Sequence, residues 1–126
     1  MKKLSYILLI LLNMFVIASC EKDYQSSEVA AITTPVSFST DANPILTEDC
    51  ATPNCHVAGG TSPDLTASVA YDQLTQLGLV DTTNAESSIL YKRLIDTQKP
   101  MPPSGKLPAV EIAYILAWIE QGAQNN

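Results

Sequence analysis

Two cysteines and the only histidine of the chain stand in one short stretch, Cys50-Ala51-Thr52-Pro53-Asn54-Cys55-His56. Nothing else in the sequence constrains the fold so tightly. Two thiols followed at once by an imidazole is the arrangement that attaches a c-type haem. The thiols add to the vinyl groups as thioethers, and the histidine beside the second thioether reaches the iron as its proximal ligand. The domain is therefore expected to be arranged around one covalently held haem. The usual motif is Cys-x-x-Cys-His, whereas four residues separate the cysteines here, a C-x4-C-H variant. Pro53-Asn54 is turn chemistry that can absorb the extra length locally. Two alternatives stay open. In an oxidising envelope Cys50 and Cys55 could close a disulfide in a haem-free binding module, with His56 an ordinary surface histidine. A closed zinc site would be one ligand short.

The third cysteine belongs to a different signal. Met1-Lys2-Lys3 is a short positive region, Leu4 to Ile17 is an apolar run, and Ile17-Ala18-Ser19-Cys20 closes it with small residues. This pattern reads as an export signal over 1–19, too short for a comfortable membrane span. Its end resembles a bacterial lipobox, which implies that Cys20 becomes the lipidated first residue of an envelope lipoprotein facing the periplasm or cell surface. Residues 20–37 are polar, rich in Ser and Thr, and read as a flexible tether. A single domain over 38–126 follows, within a mature chain of 107 residues. Net charge is −6, and removal of Lys2 and Lys3 makes it more negative. Acids are scattered with no basic stripe, which disfavours nucleic acid and favours a protein partner with a basic docking patch.

The domain reads as all-α, with about four short helices and long loops. Asp41 or Asn43 is expected to cap a first helix that tolerates Pro44 in its first turn, buries Ile45 and Leu46, and ends at Cys50. Gly59 to Pro63 is a loop. Thr66 is expected to cap a second helix over 67–77, with Val69, Ala70, Leu74 and Leu77 at helical spacing and Gly78 ending it in a left-handed conformation. After a turn at 81–85, a third helix is expected over 86–95, with Ile89, Leu90, Leu94 and Arg93 inward. Lys99-Pro100-Met101-Pro102-Pro103-Ser104-Gly105 can be neither helix nor central strand. The last helix is expected over 109–121, opened by Pro108 and closed by Gly122, with Ile112, Ile115, Leu116 and Ile119 on its apolar face.

An electron-carrying haem needs a second axial ligand, and with one histidine in the chain it cannot be another imidazole. Of the three methionines, Met1 and Met14 leave with the signal, so Met101 is the only mature thioether. Prolines on both sides give its backbone few conformations to lose, which suits a weak sulfur ligand held by a rigid loop. Arg93 could pair with a haem propionate, but a solvated helix charge is the better reading. Trp118 reads as core.

Asn43-Pro44-Ile45-Leu46, Ser88-Ile89-Leu90-Tyr91, Met101-Pro102-Pro103-Ser104-Gly105-Lys106-Leu107, Glu111-Ile112 and Trp118-Ile119-Glu120-Gln121-Gly122-Ala123 together resemble the small monohaem c-type cytochrome domains of bacterial lipoproteins and planctomycete-type enzymes. The resemblance covers nearly all of the mature domain. It implies a class I cytochrome c fold, in which the first helix ends at the haem motif and packs across the last, and a methionine loop closes over haem c. It also implies that Cys50 and Cys55 are the thioether positions, His56 the proximal iron ligand and Met101 the distal one. The expected function is one-electron transfer between envelope redox partners rather than catalysis. A peroxidase-like site would need an open distal position, which Met101 would fill.

Overall fold

The computed structural model describes residues 30–126, so the expected signal, Cys20 and most of the tether lie outside the described residues. Four α-helices follow one another: α1 (Asn43–Asp49), α2 (Ala70–Gln76), α3 (Ile89–Ile95) and α4 (Ala109–Glu120). A wide π-type turn over Phe38–Ala42 leads into α1, and a 3-10 turn over Ala85–Ser87 precedes α3. No strand occurs among the described residues, and the domain is all-α with long loops, as the sequence leads one to expect.

Phe38, Ala42, Leu46 and Cys50 are all buried and recur every fourth residue, so the π turn and α1 present one apolar stripe. Neither expected cap acts as one. Asp41 turns back, its Oδ2 accepting the Ser37 amide at 2.7 Å. Asn43 donates from Nδ2 to the Ala67 carbonyl at 3.1 Å and so pins α1 to the approach of α2. Thr66 does not cap α2 with its side chain either, because its hydroxyl donates to Asp64 Oδ1 at 2.7 Å. A turn on the Thr66 carbonyl intervenes and the helix begins at Ala70, later than expected.

Both expected glycine stops are present. Gly78 has φ +63°, and its amide donates to Thr75 while that of Leu79 donates to Leu74, at 3.1 and 2.9 Å. At the end of α4, Gly122 has φ +99°, with bonds from Gly122 to Ile119 and from Ala123 to Trp118 at 3.0 and 2.9 Å. This double closure satisfies carbonyls that a helix end otherwise leaves bare. Leu77, placed among the inward residues by spacing, lies at the stop and is 49% exposed.

The third helix differs most from expectation. Ser88 is extended, at φ −54° and ψ 134°, and breaks the expected helix into a 3-10 turn and α3. Ser88 is buried because its Oγ accepts the Asp81 amide at 2.8 Å. Ile89 becomes the first residue of α3 and is 51% exposed rather than inward. Leu94 is buried and Leu90 half-buried, whereas Arg93 is exposed beside Asp96 at 3.9 Å. In α4 the fully buried residues are Ile115, Ala117, Trp118 and Ile119, with Ile112 and Leu116 half-buried.

Three rings join the layers. Phe38 meets Trp118 at 5.0 Å and Tyr71 edge-on at 5.3 Å, which ties the π turn to α4 and α2. The indole Nε1 of Trp118 donates to the Gln124 carbonyl at 3.0 Å, so its polar atom is satisfied inside the core. The segment entering the domain is fastened to the segment leaving it. Gln121 Oε1 accepts the Val36 amide at 2.8 Å and its Nε2 donates to the Thr34 carbonyl at 3.0 Å. Asn126 accepts the Phe38 amide at Oδ1 and the Ser39 amide at its carbonyl, at 2.8 and 2.9 Å.

Candidate functional site

Cys50 follows the last turn of α1, its amide donating to the Leu46 carbonyl at 3.1 Å. The chain then reverses. The Cys55 amide donates to the Thr52 carbonyl at 2.9 Å, with Pro53 and Asn54 at the two corner positions and Asn54 at φ +68°. That is the arrangement of a type II turn, which takes Pro first and a left-handed Asn or Gly second. Of the four residues between the cysteines, Ala51 closes the end of α1, its amide donating to the Leu46 carbonyl at 3.0 Å, and the other three are used up in one tight turn. The His56 amide then donates back to the Cys50 carbonyl at 3.1 Å, so both thiols and the imidazole belong to one closed loop.

A second loop holds the ring of His56. Its Nδ1 lies 3.0 Å from the Pro63 carbonyl and 3.1 Å from the Thr61 carbonyl. Both partners are acceptors, so Nδ1 is the donor, and Nε2 is the ring nitrogen that a metal would take. This is the outer support that a metal-binding imidazole requires. The support is itself braced. The Thr61 amide donates to the Cys55 carbonyl at 2.9 Å, and the Leu65 amide to the His56 carbonyl at 2.9 Å. Gly60 sits so close beneath that a Cβ there would collide with the Cys55 carbonyl oxygen and stand 3.1 Å from that of Val57.

The two thiols are unbridged and unlike. Cys50 is buried beside Asp49, and burial first, then that carboxylate, pushes its pKa up to about 11. Cys55 and His56 are half-exposed. Met101 is positioned by a different element: its amide donates to the Arg93 carbonyl at 3.0 Å, folding the proline-rich loop onto the end of α3. Leu65, which follows the loop that holds His56, and Leu107, which follows the Met101 loop, are both buried in the common core. Among the described residues no three His, Cys, Asp or Glu side chains converge to hold a metal ion.

Two unbridged thiols and an adjacent imidazole engaged at Nδ1 are the donor types that a covalently held haem would use. Sequence reasoning missed the carbonyls of Thr61 and Pro63 and the fit at Gly60. The Gly-Gly-Thr-Ser-Pro run marks a loop, but backbone acceptors leave no trace in residue identity. Among the described residues no helix is long and apolar enough to cross a membrane. No protein-family model, curated protein or solved structure matches the chain.

Proposed function

We propose that this chain is a lipid-anchored monohaem c-type cytochrome that carries one electron between redox partners in the cell envelope. In this reading Cys50 and Cys55 form the thioethers, His56 is the proximal iron ligand, Met101 the distal one, and Cys20 carries the lipid. The observation that carries it is the grip on His56. Carbonyls at 3.0 and 3.1 Å engage Nδ1, which makes Nε2 the nitrogen that would reach the iron, within a loop that holds two unbridged thiols.

A bound haem supplies a single iron that takes up and returns one electron. The protein's part is to orient and to tune. The type II turn holds Cys55 in the loop that His56 closes onto the Cys50 carbonyl. The Thr61 and Pro63 carbonyls keep the imidazole from rotating. The prolines flanking Met101 would keep a weak soft donor in place, and its ligation would favour the reduced iron and raise the potential. What supports a class I arrangement is the contact of Trp118 in the last helix with Phe38, in the turn that leads into α1.

Expression with a cytochrome c maturation system tests the proposal. Denatured protein should retain haem, and its ferrous pyridine spectrum should show two saturated vinyls, with at least one thioether lost in Cys55→Ser. Colourless protein holding a Cys50–Cys55 disulfide, from a host shown to mature this spacing, would sink the idea. Met101→Ala should abolish the near-infrared methionine-to-iron band and lower the potential while the helical signal persists. An unchanged spectrum would make Met101 a packing residue and favour a catalytic haem instead.

A further inference from the structure

Trp118 is the one tryptophan of the chain, and the core seals it at 1% exposure. Its Nε1–H donates to the Gln124 carbonyl at 3.0 Å. A peptide carbonyl accepts a hydrogen bond but is far too weak a base to keep a proton. An indole that loses an electron here therefore keeps its proton, and in that cationic form it is a strong oxidant. Two rings lie against it. Phe38 stands 5.0 Å away between centroids, and a phenyl ring is too hard to oxidise to give up an electron. Tyr71 stands 6.4 Å away at 68°, an edge-on contact well within tunnelling reach. Unlike the indole, Tyr71 is half-exposed, on α2, so its phenol can release a proton to water. A phenol that sheds its proton as it loses an electron is easier to oxidise than an indole that cannot. The pair therefore has a direction, from the sealed ring to the half-exposed one.

We propose that Trp118 and Tyr71 form a one-electron relay that carries an oxidising equivalent out of the core to the surface of α2, where a small water-soluble reductant of the ascorbate class quenches it. A one-electron oxidant, such as a radical derived from peroxide, takes an electron from Trp118 and is itself reduced by one electron. Tyr71 passes an electron to the indole cation and restores it, while the phenolic proton goes to water. The phenoxyl radical left on Tyr71 then takes one electron and one proton from the reductant, which is oxidised by one electron. Without Tyr71 the radical would stay in the core, where water and oxygen add to the indole ring and damage the packing at Phe38. The inference stands apart from the haem reading, because it uses neither thiols nor imidazole.

Electron paramagnetic resonance tests it on the full chain in zwitterionic detergent. Light at the red edge of the indole absorption ionises Trp118 alone, nitrous oxide removes the ejected electron, and the sample is frozen at once. The trapped signal should be a phenoxyl radical that narrows when the tyrosine rings are deuterated. Tyr71→Phe keeps the ring and its packing, and should replace that signal by an indole radical. Tyr91→Phe and Tyr114→Phe should leave it unchanged. Under a peroxide-derived radical flux with ascorbate present, mass spectrometry should find more oxidised Trp118 in Tyr71→Phe than in the parent chain. An indole radical that stays put in the parent chain would overturn the proposal. So would a phenoxyl signal that survives Tyr71→Phe, one that is lost in either of the other two variants, or equal oxidation of Trp118 with and without Tyr71.

Discussion

At the scale of single residues, environment separates groups that the sequence makes look alike. Cys50 and Cys55 are equivalent in the motif, but Cys50 is buried beside a carboxylate and Cys55 is half-exposed. In protein made without haem attachment, iodoacetamide at mildly alkaline pH should therefore alkylate Cys55 well before Cys50, because only the thiolate reacts. The Cys50 rate should climb as pH approaches about 11. Its thiol is held protonated by the fold, so the associated stability is fully present below pH 9.0 and is lost as pH rises toward about 11. Equal rates for the two thiols would show that the end of α1 is open. Gly60 makes the second case. Replacement by Ala forces a Cβ against the Cys55 carbonyl, and should cost about 1–3 kcal/mol in thermal or denaturant unfolding. The same change should broaden the His56 Nδ1 proton resonance, since Thr61 and Pro63 would no longer hold the ring. An unperturbed melting curve and resonance would mean that the loop relaxes freely. The thiols and imidazole were legible as a set, because they stand together within seven residues of sequence. The carbonyl grip was not, because every residue has a carbonyl.

At the scale of elements, what was legible in sequence is what is local. Gly78 and Gly122 end their helices as expected because a left-handed residue is a one-position requirement. The starts were less legible. Thr66 and Asp64 satisfy each other instead of a helix, and Asp41 satisfies Ser37, because a short polar side chain can bond to several nearby groups. Ser88 interrupts the third helix because the Asp81 amide claims its hydroxyl, and Ile89 is carried outward as a result. At the first turn of α4, Glu111 has one carboxylate oxygen, Oε2, that is sealed from solvent and has no hydrogen-bond partner. Burial first, then Asp49 and Glu48, raises its pKa. A raised carboxyl pKa means that the fold favours the protonated form, so its contribution is present in acid and is lost as pH rises through the carboxylate range. Glu111→Gln should accordingly raise the melting temperature at neutral pH. The gain should shrink in acid, where Glu111 is already protonated. A lower melting temperature at neutral pH would show that the carboxylate stabilises α4, as helix-dipole reasoning alone would have it.

At the scale of the molecule, the core depends on residues far apart in sequence. Phe38, Tyr71 and Trp118 come from three segments, and periodicity could mark each as apolar without saying that they meet. Phe38→Ala should cost about 3–5 kcal/mol, measured by chemical denaturation, because it empties the centre of that contact. A loss below about 1 kcal/mol would mean that the rings close up around the gap. The least legible feature was the fastening of 34–39 by Gln121 and Asn126, since glutamine and asparagine near a chain end look like solvated surface. Gln121→Ala should cost about 1–3 kcal/mol, because two backbone groups lose their partner at once. That fastening also has a mechanical meaning. A pull on the chain upstream of Thr34 runs along the segment and across its bonds to Gln121 and Asn126, which bear the load together, as in a lap joint. Tension on the leading end is therefore shared at the seam with the trailing end, before any of it reaches the loop that carries Cys50, Cys55 and His56.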